Sequence, residues 1–240
     1  KEVFEKIPER NVISWNSLIV GYTEHGHGEK AIECFRQMQE GGLSPDPVTF
    51  ICILKACASV RSLEMGEQIC LEINKQGLLE ENLMLGNALV DMYIKCGLPG
   101  KAQEVFEQLS ARDVASWNAL ISGYSQHEFH NEAVTCFRCM QHEGLSPNTV
   151  TFVCALKACG SVGSLQIGEE IHAEISKQGL LGKDSMLGTA LVDMYAKCGV
   201  LEKARKVCDE LPLRDAGSWN ALITGYSQHG LNDESLNCFK

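Results

Sequence analysis

Polar side chains of matched type recur at wide, regular intervals in this chain. Asn16, Asn87, Asn118 and Thr189 stand early in apolar segments, and Asp46, Asp113, Asn148 and Asp215 stand just ahead of the next such segment. Amides, hydroxyls and carboxylates placed this way donate and accept hydrogen bonds, the chemistry of recognition. No Gly-rich phosphate loop, nucleophile elbow or paired-carboxylate constellation accompanies them. Two other clusters invite a chemical reading. Cys136-Phe137-Arg138-Cys139 with His142 places two thiols and an imidazole close together, but zinc needs four ligands and the matching Cys34-Phe35-Arg36-Gln37 lacks the second thiol. His172-Ala173-Glu174 has the H-x-E opening of zinc deaminases, yet no P-C-x-x-C follows and the corresponding earlier segment is Cys70-Leu71-Glu72. Both clusters read as ordinary helical sequence, so no catalytic residue, metal or cofactor is expected.

Composition narrows the setting. The chain has 240 residues, 45% hydrophobic and 22% charged, which suits a folded protein with a sizeable core. No run of about 18 apolar residues is present, so no membrane span is expected. The opening Lys1-Glu2-Val3-Phe4-Glu5-Lys6 is charged and resembles mid-chain sequence, unlike a signal or transit peptide. A net charge of −10 argues against polyanion binding over the whole surface, so any such binding must be confined to one face. Most of the twelve cysteines recur in phase: Cys52 with Cys154, Cys57 with Cys159, Cys96 with Cys198, and Cys34 with Cys136 and Cys238. That recurrence fits small apolar fillers, expected as reduced thiols.

The elements that position the polar residues follow from an internal repeat. Trp15, Trp117 and Trp219 lie 102 residues apart, each inside a Ser-Trp-Asn-x-Leu-Ile segment. A chain copied at constant period stacks like units rather than closing one core. Helical spacing of Trp15, Leu18, Ile19 and Tyr22, and again of Ala31, Cys34, Phe35 and Met38, predicts two amphipathic helices per unit. Glycines and prolines such as those in Gly41-Gly42-Leu43-Ser44-Pro45-Asp46-Pro47 punctuate the units. Unit boundaries are expected at 1–11, 12–46, 47–82, 83–113, 114–148, 149–184, 185–215 and 216–240, with lengths cycling through 35, 36 and 31 residues. Val3-Phe4-Glu5-Lys6-Ile7 matches Val105-Phe106-Glu107-Gln108-Leu109, so a segment of a longer array is expected.

This pattern resembles the pentatricopeptide repeat family, specifically its PLS class of alternating unit lengths. The residues that carry the likeness are Val12–Tyr22, the segment Gly144-Leu145-Ser146-Pro147-Asn148, the long-unit signatures at 54–58 and 156–160, and the short-unit signatures at 89–97 and 191–199. The resemblance implies an all-α fold, a right-handed α-solenoid superhelix of helix-turn-helix repeats. It implies binding of single-stranded RNA at about one nucleotide per repeat, in a mitochondrion or chloroplast, as the recognition array for C-to-U editing. A deaminase domain or editing partner would supply the chemistry.

The resemblance further implies that bases are selected by the residue after the aromatic of each first helix together with the last residue of the unit. Asn16 pairs with Asp46 and Asn87 with Asp113, both favouring U; Asn118 pairs with Asn148, favouring C and then U; Thr189 pairs with Asp215, favouring G. Asn11 closes a unit whose first helix is missing, and Asn220 has no closing partner. Ile51 with Asn82 and Val153 with Asp184 depart from the polar pattern. The implied site is (A/C)-U-N-U-(C/U)-N-G-(C/U). Ile13 and Ala115 are the places at which neighbouring bases would be clamped, and Gly217 would clamp poorly.

Plainer roles stand beside these. The unit-closing Asp and Asn residues precede helices and could serve as caps, and the asparagines inside the helices could make contacts between repeats. The three tryptophans, spaced with Ile19, Ile121 and Ile223, belong on the apolar face rather than stacked on bases. Lys95 and Lys197 either complement helix C-termini or face phosphates, with Lys55 and Lys157 weaker candidates of the same kind. Glu24, Gln126 and Gln228 fill the equivalent places elsewhere, leaving the basic track sparse. A protein-binding helical scaffold is the rival reading, and an enzyme using Cys136, Cys139, His142 or His172 a third.

Overall fold

A computed structural model describes Phe4 and residues 10–80, 82–181, 183–211 and 216–238, and among these it holds fourteen α-helices and no strand. The first helices of successive pairs are α1 (Val12–Glu24), α3 (Pro47–Val60), α5 (Leu83–Lys95), α7 (Val114–Gln126), α9 (Thr149–Val162), α11 (Ser185–Lys197) and α13 (Ala216–Gln228). The second helices are α2 (Gly28–Glu40), α4 (Leu63–Lys75), α6 (Pro99–Gln108), α8 (His130–His142), α10 (Leu165–Lys177), α12 (Leu201–Glu210) and α14 (Asn232–Asn237). None of them is long and apolar enough to cross a membrane.

Local chemistry sets the helix ends. Asn11, Asp46 and Asn148 each accept a hydrogen bond from the backbone N–H three residues on, and each cap residue's own N–H donates in return to the Ser14, Thr49 or Thr151 hydroxyl, giving reciprocal capping of α1, α3 and α9. Proline occupies the first turn of α3 and α6, where a missing N–H costs nothing. At the far end, α5 stops where Gly97 takes φ +79° and the Leu98 N–H reaches back to the Tyr93 carbonyl at 2.9 Å. Arg61 holds a left-handed conformation (φ 54°) at the end of α3, where the matching residue after α9 is Gly163.

The chain divides into two compact units, residues 1–123 and 124–240. In the first, α1, α3 and α5 pack in sequence; α2 touches both α1 and α3, α4 touches both α3 and α5, and α6 packs on α5. In the second, α9, α11 and α13 pack in sequence, α8 lies on α9, α10 touches α9 and α11, and α12 touches α11 and α13. Each unit therefore has a layer of first helices backed by a layer of second helices. A first helix sandwiched between like neighbours has to be apolar on most sides, whereas a second helix needs only one apolar stripe. Accordingly α3 buries Phe50, Ile53, Leu54, Ala56 and Cys57, while α2 buries the stripe Ala31, Phe35 and Met38.

Close approaches recur with the period. A Cβ on Gly66 would stand 2.5 Å from the Met92 sulfur, and one on Gly168 equally close to that of Met194, so any larger residue would displace the end of these thioether side chains. Phe106 of α6 meets Trp117 of α7 edge-on at 4.6 Å between ring centroids, with the Arg112 guanidinium 5.1 Å from the Phe106 ring. Phe50, Phe106, Phe137 and Phe152 are fully enclosed, each worth about 2–3 kcal/mol of apolar burial.

Candidate functional site

The capping residues do more than close helices. Asp46 leaves the Pro45-Asp46-Pro47 turn with its carboxylate facing α1, and Asn16 Nδ2 donates to both its oxygens, at 3.0 and 3.2 Å. From α3 the Thr49 hydroxyl lies 2.6 Å from Asn16 Oδ1 and 2.8 Å from Asp46 Oδ1, while the Thr49 N–H donates to Asp46 Oδ1 at 2.8 Å. Burial alone would raise the Asp46 pKa; the hydrogen bonds from Thr49 and Asn16 outweigh it and hold the carboxyl below its ordinary value. The last residue of one helix pair thus meets a polar residue of that pair's first helix. Asn16 is only 8% exposed, so its amide is nearly enclosed by these partners.

The other sequence-predicted positions differ in detail. Asp113 accepts from the Ser116 N–H and Oγ, both at 2.8 Å, and the backbone bond from Ser116 leads the causes that lower its pKa. Asn87, half-buried on α5, has an enclosed Oδ1 with no hydrogen-bond partner. Asn118 is half-buried on α7, and Asn148 caps α9, accepting from the Thr151 N–H at 3.1 Å. Asn11 caps α1 and Asn220 is exposed on α13. Asp215, expected to act with Thr189, lies outside the described residues. Asn82 and Asp184 cap α5 and α11, so capping is common to every described unit-closing position, whatever else each side chain does.

Thr189 lines an open concavity of about 350 Å³ with Val153, Lys157, Met186 and Asp193, where α9 and α11 lie side by side. Large apolar side chains stand in solvent at the second residue of five first helices: Ile13 (73% exposed), Val48 (53%), Met84 (68%), Val150 (53%) and Met186 (62%). Exposure of this kind repeated at one helical position marks a contact surface. Spacing counted back from tryptophan points to Ile13 and Ala115 but not to Val48, Met84, Val150 and Met186. Counting to the second residue of every first helix, rather than back from tryptophan, would have found them.

Charge is sorted between the two layers. The first helices carry three carboxylates and four lysines, a net of +1. The second helices carry seventeen carboxylates against nine Lys and Arg, a net of −8. Lys95 and Lys197 bind Asp91 and Asp193 one turn earlier, at 2.9 and 2.8 Å, so their charge is partly answered within the helix. Lys55 and Lys157 are exposed. On the second-helix side Lys101 pairs with Glu67 and Lys203 with Glu169, each joining consecutive second helices and each cation also lying near a tyrosine ring, Tyr93 or Tyr195.

The remaining candidates are structural in setting. All twelve cysteines are thiols, and burial pushes the pKa of Cys57, Cys136 and Cys159 up to about 12, leaving them neutral. Among the described residues no group of three His, Cys, Asp or Glu is placed to hold a metal. His172 Nδ1 lies 2.9 Å from the Tyr195 hydroxyl, and burial lowers its pKa. Trp15 and Trp117 are buried, while Trp219 is half-exposed beneath the Arg205 guanidinium, 5.4 Å from its ring.

Comparison with known proteins places this arrangement. The PPR repeat family model matches residues 10–59 and 112–161, and the PPR repeat model matches 87–114, 189–215 and 217–240. A pentatricopeptide repeat-containing protein of Arabidopsis thaliana is 38% identical over 239 residues, covering all of this chain and 33% of the relative. A mitochondrial one from the same plant is 41% identical over 97% of this chain and 22% of the relative, and a chloroplastic one 39% identical over 98% and 38%. The chain thus spans about a third of the length of such relatives. Among solved structures, the pentatricopeptide repeat protein PPR10 in complex with an 18-nt psaJ RNA element superposes with a TM-score of 0.81 at 21% identity, over 96% of this chain and 35% of that one.

Proposed function

The chain belongs to the PPR repeat family, and from that premise we propose that its first-helix layer binds single-stranded RNA, taking about one base per helix pair. The observation that carries this reading is the Asn16–Asp46 pair, in which the residue closing a unit returns to the first helix of that unit. A peptide-binding scaffold has no need of such a pair; a splayed base offers an edge that paired donors and acceptors can discriminate. Supporting it, exposed Ile13, Val48, Met84, Val150 and Met186 flank the polar positions as flat apolar contacts for base faces. The first-helix layer is also free of the acidity of the second, which removes the main electrostatic objection to a polyanion.

In this reading Asn16 with Asp46 and Asn87 with Asp113 select U, Asn118 with Asn148 selects a pyrimidine, and Thr189 with Asp215 selects G. Asn11 and Asn220 contribute at the ends, and Lys95 and Lys197 lie near the phosphate path. The array is of the PLS type and positions a transcript for C-to-U editing by a deaminase domain or partner in a mitochondrion or chloroplast. Names of relatives carrying "mitochondrial" or "chloroplastic" support the organellar setting.

The test is the affinity of the chain for the octanucleotide AUAUCAGC as salt is raised. A marked negative slope of log affinity against log salt is expected, with Thr189→Asn weakening the preference for G at the seventh base. Salt-independent binding, or indifference of the seventh base to that substitution, would favour a protein-binding scaffold instead.

A further inference from the structure

Asn16 is held by two partners, and they constrain it differently. Asp46 only accepts hydrogen bonds, so the amide nitrogen must face it. The fully buried Thr49 hydroxyl has one proton and two acceptors in reach, Asn16 Oδ1 at 2.6 Å and Asp46 Oδ1 at 2.8 Å; given to the nearer, it holds the amide oxygen, while the Thr49 N–H serves Asp46. Because threonine is β-branched, its side chain has few rotamers to choose among. An amide flip would turn the amide oxygen onto the carboxylate, losing the bonds to Asp46, and would end the donation from Thr49 to the amide oxygen. The second unit-closing pair lacks this lock: Ser116 spends its hydroxyl on Asp113, and the enclosed Asn87 Oδ1 has no partner.

We infer that Thr49, on the helix of the following unit, is a positioning residue that fixes the Asn16 amide as a donor and thereby sharpens discrimination of the base it faces. The inference rests on the RNA-binding reading above. One N–H of the Asn16 amide is shared between the two Asp46 oxygens; the other, held in fixed direction, suits a carbonyl oxygen, such as O4 of uracil, and repels the N4 amino group that cytosine presents at the same place. A free amide can turn over and satisfy either base. Asn16 therefore separates U from C more sharply than Asn87 does, although both are Asn–Asp pairs by type.

The experiment measures affinity of the 240-residue chain for AUAUCAGC and for its U→C variants at the second base, facing Asn16, and at the fourth, facing Asn87. Thr49→Val removes the hydroxyl with little change of shape, and Thr49→Ser keeps it. The U-over-C ratio at the second base is expected to fall about fivefold in Thr49→Val, the worth of one neutral hydrogen bond, and to be retained in Thr49→Ser. The ratio at the fourth base stays unchanged in both, which separates positioning from a general loss of fold. Melting temperatures of the variants, and the resolved side-chain amide resonances of Asn16, report the hydroxyl's effect without RNA. An unchanged second-base ratio in Thr49→Val overturns the inference and leaves the RNA reading standing. Absence of any base preference in the parent chain overturns both, and a parallel fall at both bases assigns Thr49 a stability role alone.

Discussion

The two helical layers share a repeat and a core but have opposite surfaces. Second helices show solvent a dense, acidic surface laced by ion pairs such as Lys101–Glu67 and Arg138–Glu170. In each unit the first helices show few charges, exposed apolar side chains at their second residue, and polar residues that cap them. The difference teaches that most of the net charge of −10 belongs to one layer, so it argues for solubility and says little about the partner of the other.

The comparison breaks most severely at the core both layers share. Phe106→Ala removes a fully enclosed ring that meets Trp117 edge-on and is expected to cost about 3–5 kcal/mol, read as a lowered midpoint of denaturant unfolding. Ile13→Ala, at an exposed helix start, should leave that midpoint within about 0.5 kcal/mol while weakening RNA binding. Equal destabilisation by the two would show that Ile13 is part of the packing.

A matched pair of charge reversals sharpens the electrostatic side. Lys55→Glu with Lys157→Glu on the first helices should lower RNA affinity about tenfold at low salt. Lys75→Glu with Lys177→Glu on the second helices makes the same change in net charge and should alter affinity less than about twofold. Identical losses would mean that only total charge matters.

The smallest effect lies in pH. Burial holds His172 below its ordinary value of 6.5, so as pH falls the unfolded chain takes up the proton before the folded one does. Stability is therefore present above about pH 6.5 and declines below it. His172→Cys, copying Cys70 of the earlier period, should flatten the melting temperature between pH 7.5 and 5.5 relative to the parent. An unaltered slope would place the titration elsewhere.

Sequence periodicity was enough for the all-α fold, because apolar spacing and capping chemistry act within a few residues. Burial of Trp15 and Trp117 followed from the same spacing. Thr49 was not legible, since its importance depends on a bond to Asn16 thirty-three residues earlier, made only when α1 and α3 pack. Nor was the local pairing of Lys95 with Asp91 weighed, although a one-turn separation makes it available to any helix. Trp219 shares its motif with two buried tryptophans yet is half-exposed, because burial depends on what packs beside α13 rather than on the words around the residue.

Capping by the unit-closing residue limits how such an array can be retargeted. A substitution at Asp46 or Asn148 alters a helix start together with any base preference, and replacing a capping side chain by alanine costs about 1 kcal/mol. Only asparagine, aspartate, serine and threonine satisfy both demands well, so drift toward a new transcript is confined to a four-letter vocabulary at these places. An engineer who wants a wider choice must first stabilise the start of α3 or α9 by other means.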